Sequence, residues 1–170
     1  MTSRIERLGT HHQRAGFDCG EPALNDFLQR QAGQLERRGF GKTYVALRGL
    51  NSDVAGFVTV SVGQIQTLQL PTQLKLPRYP APVFRIGRLA VDQGSRGQGI
   101  GHQLVSFALQ MALEFSQRAG LYAVVVDAKH ANAKRFYDGL GFLATVDDPL
   151  CLYLPISLLQ MAASTKATQP

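Results

Sequence analysis

The chain has 170 residues, of which 45% are hydrophobic and 18% are charged, and this composition fits one globular domain. No apolar stretch reaches the roughly 18 residues of a membrane span, and the first residues lack the apolar core of a secretory signal. The formal net charge of +6 favours anionic partners such as nucleotides or RNA. Cys19 and Cys151 are too far apart in the sequence for a zinc or redox motif, so we expect two buried free thiols.

The first half of the chain predicts a helix followed by a β-hairpin. Apolar residues recur at helical spacing in Glu21–Arg38, with a proline in the first turn and a glycine directly after the last. Thr43–Leu47 and Val54–Val60 are predicted strands joined by a polar turn, which indicates an antiparallel hairpin. We expect a third strand at Gln64–Leu70 and, because it holds four prolines, a loop or extended segment at Pro71–Pro82.

The second half alternates strands with helices, which predicts a right-handed crossover on a sheet. The predicted elements are strand Val83–Val91, helix Gly99–Arg118, strand Tyr122–Val126, helix Asn132–Leu140 and strand Leu150–Leu154. Together with the hairpin they predict a mixed sheet. We expect a single domain at residues 1–160 and a mobile tail at residues 161–170.

A glycine-rich turn, Arg96-Gly-Gln-Gly-Ile-Gly101, separates the strand from the long helix. Its glycines permit close backbone approach, and the helix N-terminus adds N–H groups and partial positive charge, so the turn predicts a phosphate or pyrophosphate site. The dinucleotide fingerprint G-x-G-x-x-G does not fit, because the glycines fall at positions 97, 99 and 101. A P-loop does not fit either, because Ile100 and Gly101 stand where Lys and Ser/Thr are required.

The same turn resembles the acetyl-CoA loop of the GNAT superfamily of N-acetyltransferases, in which Arg or Gln precedes x-x-Gly-x-Gly. Arg96, Gly99 and Gly101 match that pattern. The next helix of the family carries a pattern similar to Asn-x-x-Ala-x-x-x-Tyr-x-x-x-Gly-Phe. Its matches here are Ala133, Tyr137, Gly141 and Phe142, whereas His130 stands at the Asn position and Asn132 lies out of register.

A narrower resemblance is to the GNAT toxins of bacterial toxin–antitoxin modules. It is carried by five segments: Phe17-Asp-Cys-Gly20, Leu24–Leu28, Lys42-Thr-Tyr-Val45, Val54–Ser61 and Arg88–Asp92. These segments are less specific than the acetyl-CoA loop, because relatives with other substrates share them.

The resemblance implies an α/β GNAT fold, with a mixed, mainly antiparallel sheet of six to seven strands, about four helices and a parallel strand–helix crossover at the cofactor loop. It also implies direct transfer of an acetyl group from acetyl-CoA to a primary amine. Tyr137 occupies the position of the catalytic tyrosine, whose phenol would protonate the departing thiolate. The cofactor-binding residues that it implies are Leu89, Ala90, Val91, Arg96, Gly97, Gln98, Gly99, Ile100, Gly101, His102, Asn132 and Phe136.

No general base is evident from the sequence. The candidates by composition are Asp92, Glu114, Asp127 and His130. An α-amine titrates near pH 8, and a neighbouring ester lowers that further, so such an acceptor does not require a dedicated base. His11 and His12 are expected to be solvated loop residues without a metal, because no carboxylate or cysteine neighbours them in the sequence.

Three functions stay open: a cytoplasmic toxin that acetylates the α-amine of aminoacyl-tRNA, a GNAT enzyme for a small-molecule or protein amine, and a non-catalytic CoA-binding module. Tyr137 argues against the third, because a pure binder needs no phenol there. The first function implies a ribbon-helix-helix antitoxin as a partner, and a homodimer also stays open. The cations expected near the substrate side are Arg30, Arg37, Arg38 and Lys42.

Overall fold

The computed structural model describes residues 3–167. The first half contains β1 (Arg4–Arg7), α1 (Pro22–Asp26), a π-helical turn (Phe27–Gln31), α2 (Ala32–Arg37), β2 (Lys42–Leu47) and β3 (Val54–Ile65). The second half contains β4 (Ala81–Val91), α3 (Ile100–Ser116), β5 (Ala123–Asp127), α4 (Ala131–Asp138), β6 (Leu143–Ala144), β7 (Cys151–Pro155) and α5 (Ile156–Ala167). None of the helices in this described part combines the length and the hydropathy that crossing a membrane needs.

The strands form one mixed sheet in the order β1-β2-β3-β4-β5-β7-β6. The strands β1 and β2, β2 and β3, β5 and β7, and β6 and β7 pair antiparallel, while β4 and β5 pair parallel. The parallel pair is joined through α3, as a strand–helix crossover requires. The predicted mixed sheet of six to seven strands is therefore confirmed. With α1 and α2 counted as one helical stretch, the prediction of about four helices is confirmed too.

The chain divides into two compact units, Met1–Ser61 with Gly87–Ala108 and Val62–Ile86 with Leu109–Pro170. In the first unit the core includes Phe57, with the rings of Phe17 edge-on at 5.6 Å and Phe27 stacked at 6.0 Å. In the second unit the core is a cluster on β4, β5 and β7 that includes Val83, Val125 and Tyr153. Both cysteines are buried free thiols, as the sequence predicted. The single domain at residues 1–160 stays a prediction.

Two segments differ from the sequence-based prediction. The expected strand Gln64–Leu70 is wrong, because β3 ends at Ile65 and Thr67–Gln69 forms a short 3₁₀ turn. The side chain of Gln69 accepts from the N–H of Gln66 at 3.0 Å, a capping bond that favours the turn over an extended backbone. At the C-terminus, residues 161–167 are helical and belong to α5, whereas the mobility expected of this tail stays a prediction. Residues 168–170 lie outside the described residues.

The strands β1 and β6 were missed by the sequence analysis. Charged side chains make up three of the four residues of β1, and pairing with β2 is what fixes it as a strand. The strand β6 has two residues and depends in the same way on β7. Neither segment is long or apolar enough to carry a period-two pattern of its own.

Gly56 of β3 marks a place where α3 packs closely on the sheet. A Cβ atom at this position would lie 3.0 Å from the carbonyl oxygen of Ala90, and equally close to side-chain carbons of Ile100 and Leu104. A backbone oxygen cannot move away from such an atom cheaply. The close approach of the first turns of α3 therefore requires glycine here.

We expect Gly56→Ala to lower the free energy of unfolding by about 1–3 kcal/mol, the usual cost of overpacking. Gly63→Ala on the same strand is the control, because its Cβ would lie 3.8 Å from the nearest atom, in ordinary contact. Urea denaturation of both variants and the parent protein measures the difference. Equal stability of the two variants would show that α3 can shift at no cost.

Candidate active site

The glycine-rich turn lies between β4 and α3, after a 3₁₀ turn at Gln93–Ser95. Gly97 and Gly99 adopt φ angles of +78° and +77°, in the left-handed region that side chains other than glycine rarely adopt. A Cβ atom at either position would meet no protein atom within 4 Å. The turn therefore needs glycine for its backbone conformation and leaves open space beside it for a ligand. Gly101, the third glycine of the motif, lies inside α3.

The N-terminus of α3 follows directly after Gly99. The N–H of Gln103 donates to the carbonyl of Gly99 at 3.1 Å, and the N–H groups at the very start of a helix have no acceptor within the helix. These donors and the partial positive charge of the helix end favour an anion. The segment Arg96–His102 thus fits the pyrophosphate of acetyl-CoA, and the fit lies in its backbone conformation.

Asp92 anchors the beginning of the turn. Its side chain is mostly buried, and its Oδ1 accepts from the N–H of Asp18 at 2.9 Å. Its Oδ2 accepts from the N–H of Gly94 at 3.0 Å and from the guanidinium of Arg48, which also donates to the hydroxyl of Ser95 at 2.9 Å. Burial acts to raise the pKa of Asp92, but these hydrogen bonds and the arginine charge outweigh burial and hold the pKa below its ordinary value.

The segment Phe17–Gly20, which carries part of the resemblance to the toxins, braces the turn from a distant part of the chain. The carbonyl of Asp18 accepts from the N–H of Gln93 at 2.8 Å, and the carbonyl of Cys19 accepts from the guanidinium of Arg96 at 2.7 Å. One donor of Arg96 is therefore committed to the protein. A guanidinium has five N–H donors, so the others remain for a phosphate.

A cavity of about 880 Å³ opens beside the turn. Its lining includes Gly94 just before the turn and Gln98 within it, together with Arg4 and Arg48. Arg4 contacts Glu6 at 3.4 Å, and Arg48 is held by Asp92. The cavity thus adds room beside the turn, while the charges of its two arginines are already balanced.

Tyr137 lies on α4 and is 5% exposed. Its ring is packed edge-on between Phe136 at 5.1 Å and Phe142 at 5.5 Å. Gly141, with φ +96°, lets the chain turn sharply after α4, so that the N–H of Phe142 donates to the carbonyl of Tyr137 at 3.2 Å. Burial raises the pKa of Tyr137, so its hydroxyl keeps its proton throughout the neutral range.

His130, which replaces the family asparagine, has a local structural role. Its Nδ1 accepts from the N–H of Ala133 at 3.2 Å, so the side chain caps the N-terminus of α4. Asn132 lies exposed in the first turn of the same helix. The helix that carries Tyr137 is therefore begun by His130 and ended by the turn at Gly141.

The glycine-rich turn and α4 lie within the match to a known protein family. The profile of the Acetyltransferase (GNAT) family matches residues 8–142, which include the glycine-rich turn and Tyr137. The chain belongs to the GNAT family. It is an acetyl-CoA-dependent acetyltransferase, and the resemblance inferred from the two motifs is confirmed.

Individual members of the GNAT family resemble the chain along nearly its whole length. It is 32% identical over 154 residues to the tRNA-acetylating toxin of Mycobacterium tuberculosis, covering 89% of this chain and 91% of that protein. It resembles AtaT complexed with acetyl-methionyl-tRNAfMet, with a TM-score of 0.87, 29% identity and coverage of 94% and 98%. It also resembles a tyrosine-to-phenylalanine mutant of AtaT bound to the C-terminus of the antitoxin AtaR and acetyl-CoA, with a TM-score of 0.83, 27% identity and 98% coverage of both chains.

The acidic residues considered as a general base for this GNAT enzyme have structural partners. Asp92 is held by the hydrogen bonds described above. Asp127 pairs with Arg85 at 2.8 Å, and Glu114 accepts from Gln110 at 3.4 Å on the surface of α3. None of these contacts brings a carboxylate to the glycine-rich turn in a state ready to accept a proton. His130, the fourth candidate, caps α4 through its Nδ1.

The expectation that His12 is a solvated loop residue is wrong, because its side chain is fully buried. Glu6, remote in sequence, lies 3.6 Å from its Nε2, and donor atoms of Glu6, His11 and His12 all lie within 4.8 Å of one another. The Nδ1 of His12 accepts from the N–H of Gly9 at 2.9 Å, so neutral His12 carries its hydrogen on Nε2, toward Glu6. Because Nδ1 is committed to the N–H of Gly9, the ring has one nitrogen left for a ligand, and we propose no metal here.

We expect Asp92→Asn to lower the free energy of unfolding by about 1–3 kcal/mol, because an amide cannot replace a carboxylate that accepts from two N–H groups and an arginine. Because the same bonds hold the start of the turn, acetyl-CoA affinity should fall as well. Denaturation and calorimetry on one preparation measure both. The exposed Asp53→Asn is the control, and a stable variant with normal affinity would contradict the anchoring role of Asp92.

We expect His12 to make the protein less stable in mild acid. Burial of its ring, aided by the charges of His11 and Arg14, lowers its pKa below the ordinary 6.5 despite the opposing effect of Glu6. As the pH falls below 6.5, His12 becomes protonated in the unfolded chain before it does so in the folded protein. The stability that neutral, buried His12 contributes is therefore fully present above pH 6.5 and is lost as the pH falls toward the lower pKa of the folded state.

Denaturation between pH 8 and pH 5 tests this expectation. His12→Gln should be less stable than the parent protein at pH 8, and the difference should narrow as pH falls. His102→Gln, which removes an exposed histidine, is the control substitution. A constant difference between His12→Gln and the parent would show that the buried ring does not titrate differently in the folded protein.

Proposed function

We propose that this enzyme acetylates the α-amine of aminoacyl-tRNA and acts in the cytoplasm as the toxin of a toxin–antitoxin pair. The observation that carries the proposal is the similarity, over about nine-tenths of both chains, to a protein named tRNA-acetylating toxin. The likeness to AtaT bound to acetyl-methionyl-tRNAfMet supports the same acceptor. The brace that Phe17–Gly20 forms on the glycine-rich turn gives a physical reason for part of the toxin-like sequence.

Within this proposal the backbone of β4 and the turn hold the co-substrate. The N–H groups of Leu89 and Val91, on either side of Ala90 at the end of β4, would donate to the thioester carbonyl and the pantetheine arm. The N–H groups of Arg96–His102 would bind the pyrophosphate, with Gly97 and Gly99 allowing close contact. Acetyl-CoA supplies the activated acetyl group.

As the C–N bond forms and the C–S bond breaks, Tyr137 would donate a proton to the departing sulfur. The attacking nitrogen would lose its extra proton to water, from which the phenol is reprotonated. Its raised pKa means that Oη is always protonated at neutral pH, which is the state required of an acid. Phe136 packs against its ring and would line the pantetheine arm, and the exposed Asn132 at the start of α4 would contact the same arm. The roles of Tyr137, Phe136 and Asn132 follow from the family pattern and from the positions of these residues along α4.

The acceptor amine fits the lack of an evident base. An α-amine has a pKa near 8, and esterification of the adjacent carboxyl group lowers it further, so a large fraction is neutral at physiological pH. A lysine amine, with a pKa near 10.4, would need a base to reach the same state. The three carboxylates proposed as candidate bases, Asp92, Asp127 and Glu114, each contact another protein group.

Positive charge supports an RNA acceptor. The net charge is +6, and Arg37, Arg38 and Lys42 are exposed within one short stretch that connects α2 to β2. Arg30, which was also expected near the RNA, lies 3.3 Å from the carboxylate of Asp26, so its charge is partly neutralised. Phosphate contacts of this kind give affinity without sequence specificity.

A partner antitoxin belongs to this proposal. AtaT was solved with the C-terminus of the antitoxin AtaR, and we expect a comparable complex here, with a ribbon-helix-helix antitoxin. A homodimer stays a prediction. Sedimentation of the purified protein would measure its oligomeric state.

Transfer of labelled acetyl from acetyl-CoA tests the acceptor. The protein should label aminoacyl-tRNA but not deacylated tRNA, and mild alkaline hydrolysis should release the label as an N-acetyl amino acid. A panel of small amines and a lysine-rich protein serve as competing acceptors. If label appears only on those acceptors, the enzyme is a GNAT acetyltransferase of another specificity and the proposal is wrong.

We expect Tyr137→Phe to lower turnover by about 10²–10⁴-fold, the usual contribution of a general acid, and to leave acetyl-CoA affinity nearly unchanged. The substitution keeps the ring that packs between Phe136 and Phe142. Tyr153→Phe, which removes the hydroxyl of another buried tyrosine, is the control and should keep its turnover. If Tyr137→Phe loses binding and rate together, its hydroxyl anchors the co-substrate instead.

A further inference from the structure

The connection from α2 to β2 is a rigid turn. The N–H of Gly39 donates to the carbonyl of Glu36 at 3.0 Å, and the N–H of Phe40 donates to the carbonyl of Leu35 at 2.9 Å. With Gly39 at φ +82°, these two bonds form a Schellman motif that ends the helix. The backbone of Phe40 is therefore fixed on the end of α2.

The side chain of Phe40 departs from the usual form of this motif. The apolar residue at this position frequently packs back on the last turn of the helix. Phe40 is instead 68% exposed, although burying a phenylalanine is normally favourable. The turn thus presents an aromatic ring to solvent, and the backbone beneath the ring needs no reordering when a partner binds it.

The surroundings of the ring are positively charged. The guanidinium of Arg38 lies over the ring, 5.8 Å from its centroid, and Arg37 and Lys42 are exposed on either side in the sequence. The nearby acid, Glu36, is 14% exposed and its carboxylate faces Arg7 at 3.5 Å. An exposed aromatic ring among cations matches a ligand that combines flat π faces with negative charge, which is the chemistry of single-stranded nucleic acid.

The turn lies at the opposite end of β2 from the glycine-rich turn. Lys42 begins β2 and pairs with Val60, whereas Arg48 follows its last residue and contacts Asp92. Six residues of extended strand separate the two ends, about 20 Å at roughly 3.3 Å per residue. RNA at Phe40 and a pyrophosphate at the glycine-rich turn therefore do not compete for the same end of the strand.

We propose that Phe40 is a stacking platform for an unpaired base near the 3′ end of the acceptor RNA, with Arg37, Arg38 and Lys42 contacting its phosphates. This inference rests on the proposed function, because it assigns the RNA contact of that acceptor. Stacking on an exposed ring is tolerant of base identity, so the platform suits an RNA end that is shared by many aminoacyl-tRNAs.

The test compares kcat/KM for aminoacyl-tRNA with kcat/KM for a small amino acid ester. Phe40→Ala should lower the value for aminoacyl-tRNA roughly 5- to 150-fold, the range expected for the loss of one stacked base, and leave the ester unchanged. Phe40→Trp should restore it, whereas Phe40→Leu, which keeps apolar surface without a π face, should not. Leu68→Ala, which removes another exposed apolar side chain, is the matched control.

Fluorescence anisotropy with labelled deacylated tRNA gives a second readout that does not depend on catalysis. Weaker binding by Phe40→Ala, with Phe40→Trp restored, supports the platform even if the parent enzyme prefers another amine. No transfer to aminoacyl-tRNA by the parent protein would refute the proposed function instead. Unchanged kinetics and binding for Phe40→Ala would overturn the platform and leave the ring to a protein partner. Restoration by Phe40→Leu would overturn stacking.

Discussion

The buried carboxylate of Asp92 is the interaction on which the co-substrate site depends. It joins the N–H of Asp18, the N–H of Gly94 and the guanidinium of Arg48, three groups that the sequence places up to 76 residues apart. A glycine-rich turn is flexible by nature, because glycine loses more conformational entropy on ordering than other residues. The fixed points that Asp92 provides on the N-terminal side, with α3 on the other, allow the turn to stay open toward solvent and still have a defined shape.

The chemistry expected of the enzyme places few demands on titratable side chains. Burial raises the pKa of Tyr137, which keeps the phenol protonated at neutral pH and also makes it a weaker acid than an exposed phenol. The α-amine of the proposed aminoacyl-tRNA acceptor has a low pKa of its own. Specificity then depends on which amine the protein can bring to the thioester, and for an RNA acceptor that is a matter of charge and stacking at the surface.

The rigid turn at Phe40 and the glycine-rich turn solve different problems with the same residue type. At Gly97 and Gly99, positive φ angles leave space that a phosphate can enter. At Gly39, a positive φ angle ends a helix and holds the next residue in place. Gly97 and Gly99 keep side chains out of the phosphate site, whereas Gly39 holds the exposed Phe40 in place.

The sequence by itself determined the family, the mixed sheet, the glycine-rich turn and the position of Tyr137, because these depend on local periodicity and on short motifs with a defined spacing. Only the tertiary structure decided the role of Asp92, the burial of His12 and the strand β1. In each case the deciding partner is remote in the sequence: Asp18 and Arg48 for Asp92, Glu6 for His12, and β2 for β1. A single buried polar residue, or a short strand fixed by a remote partner, adds no periodic pattern to the sequence, so the pattern of the chain could not reveal them.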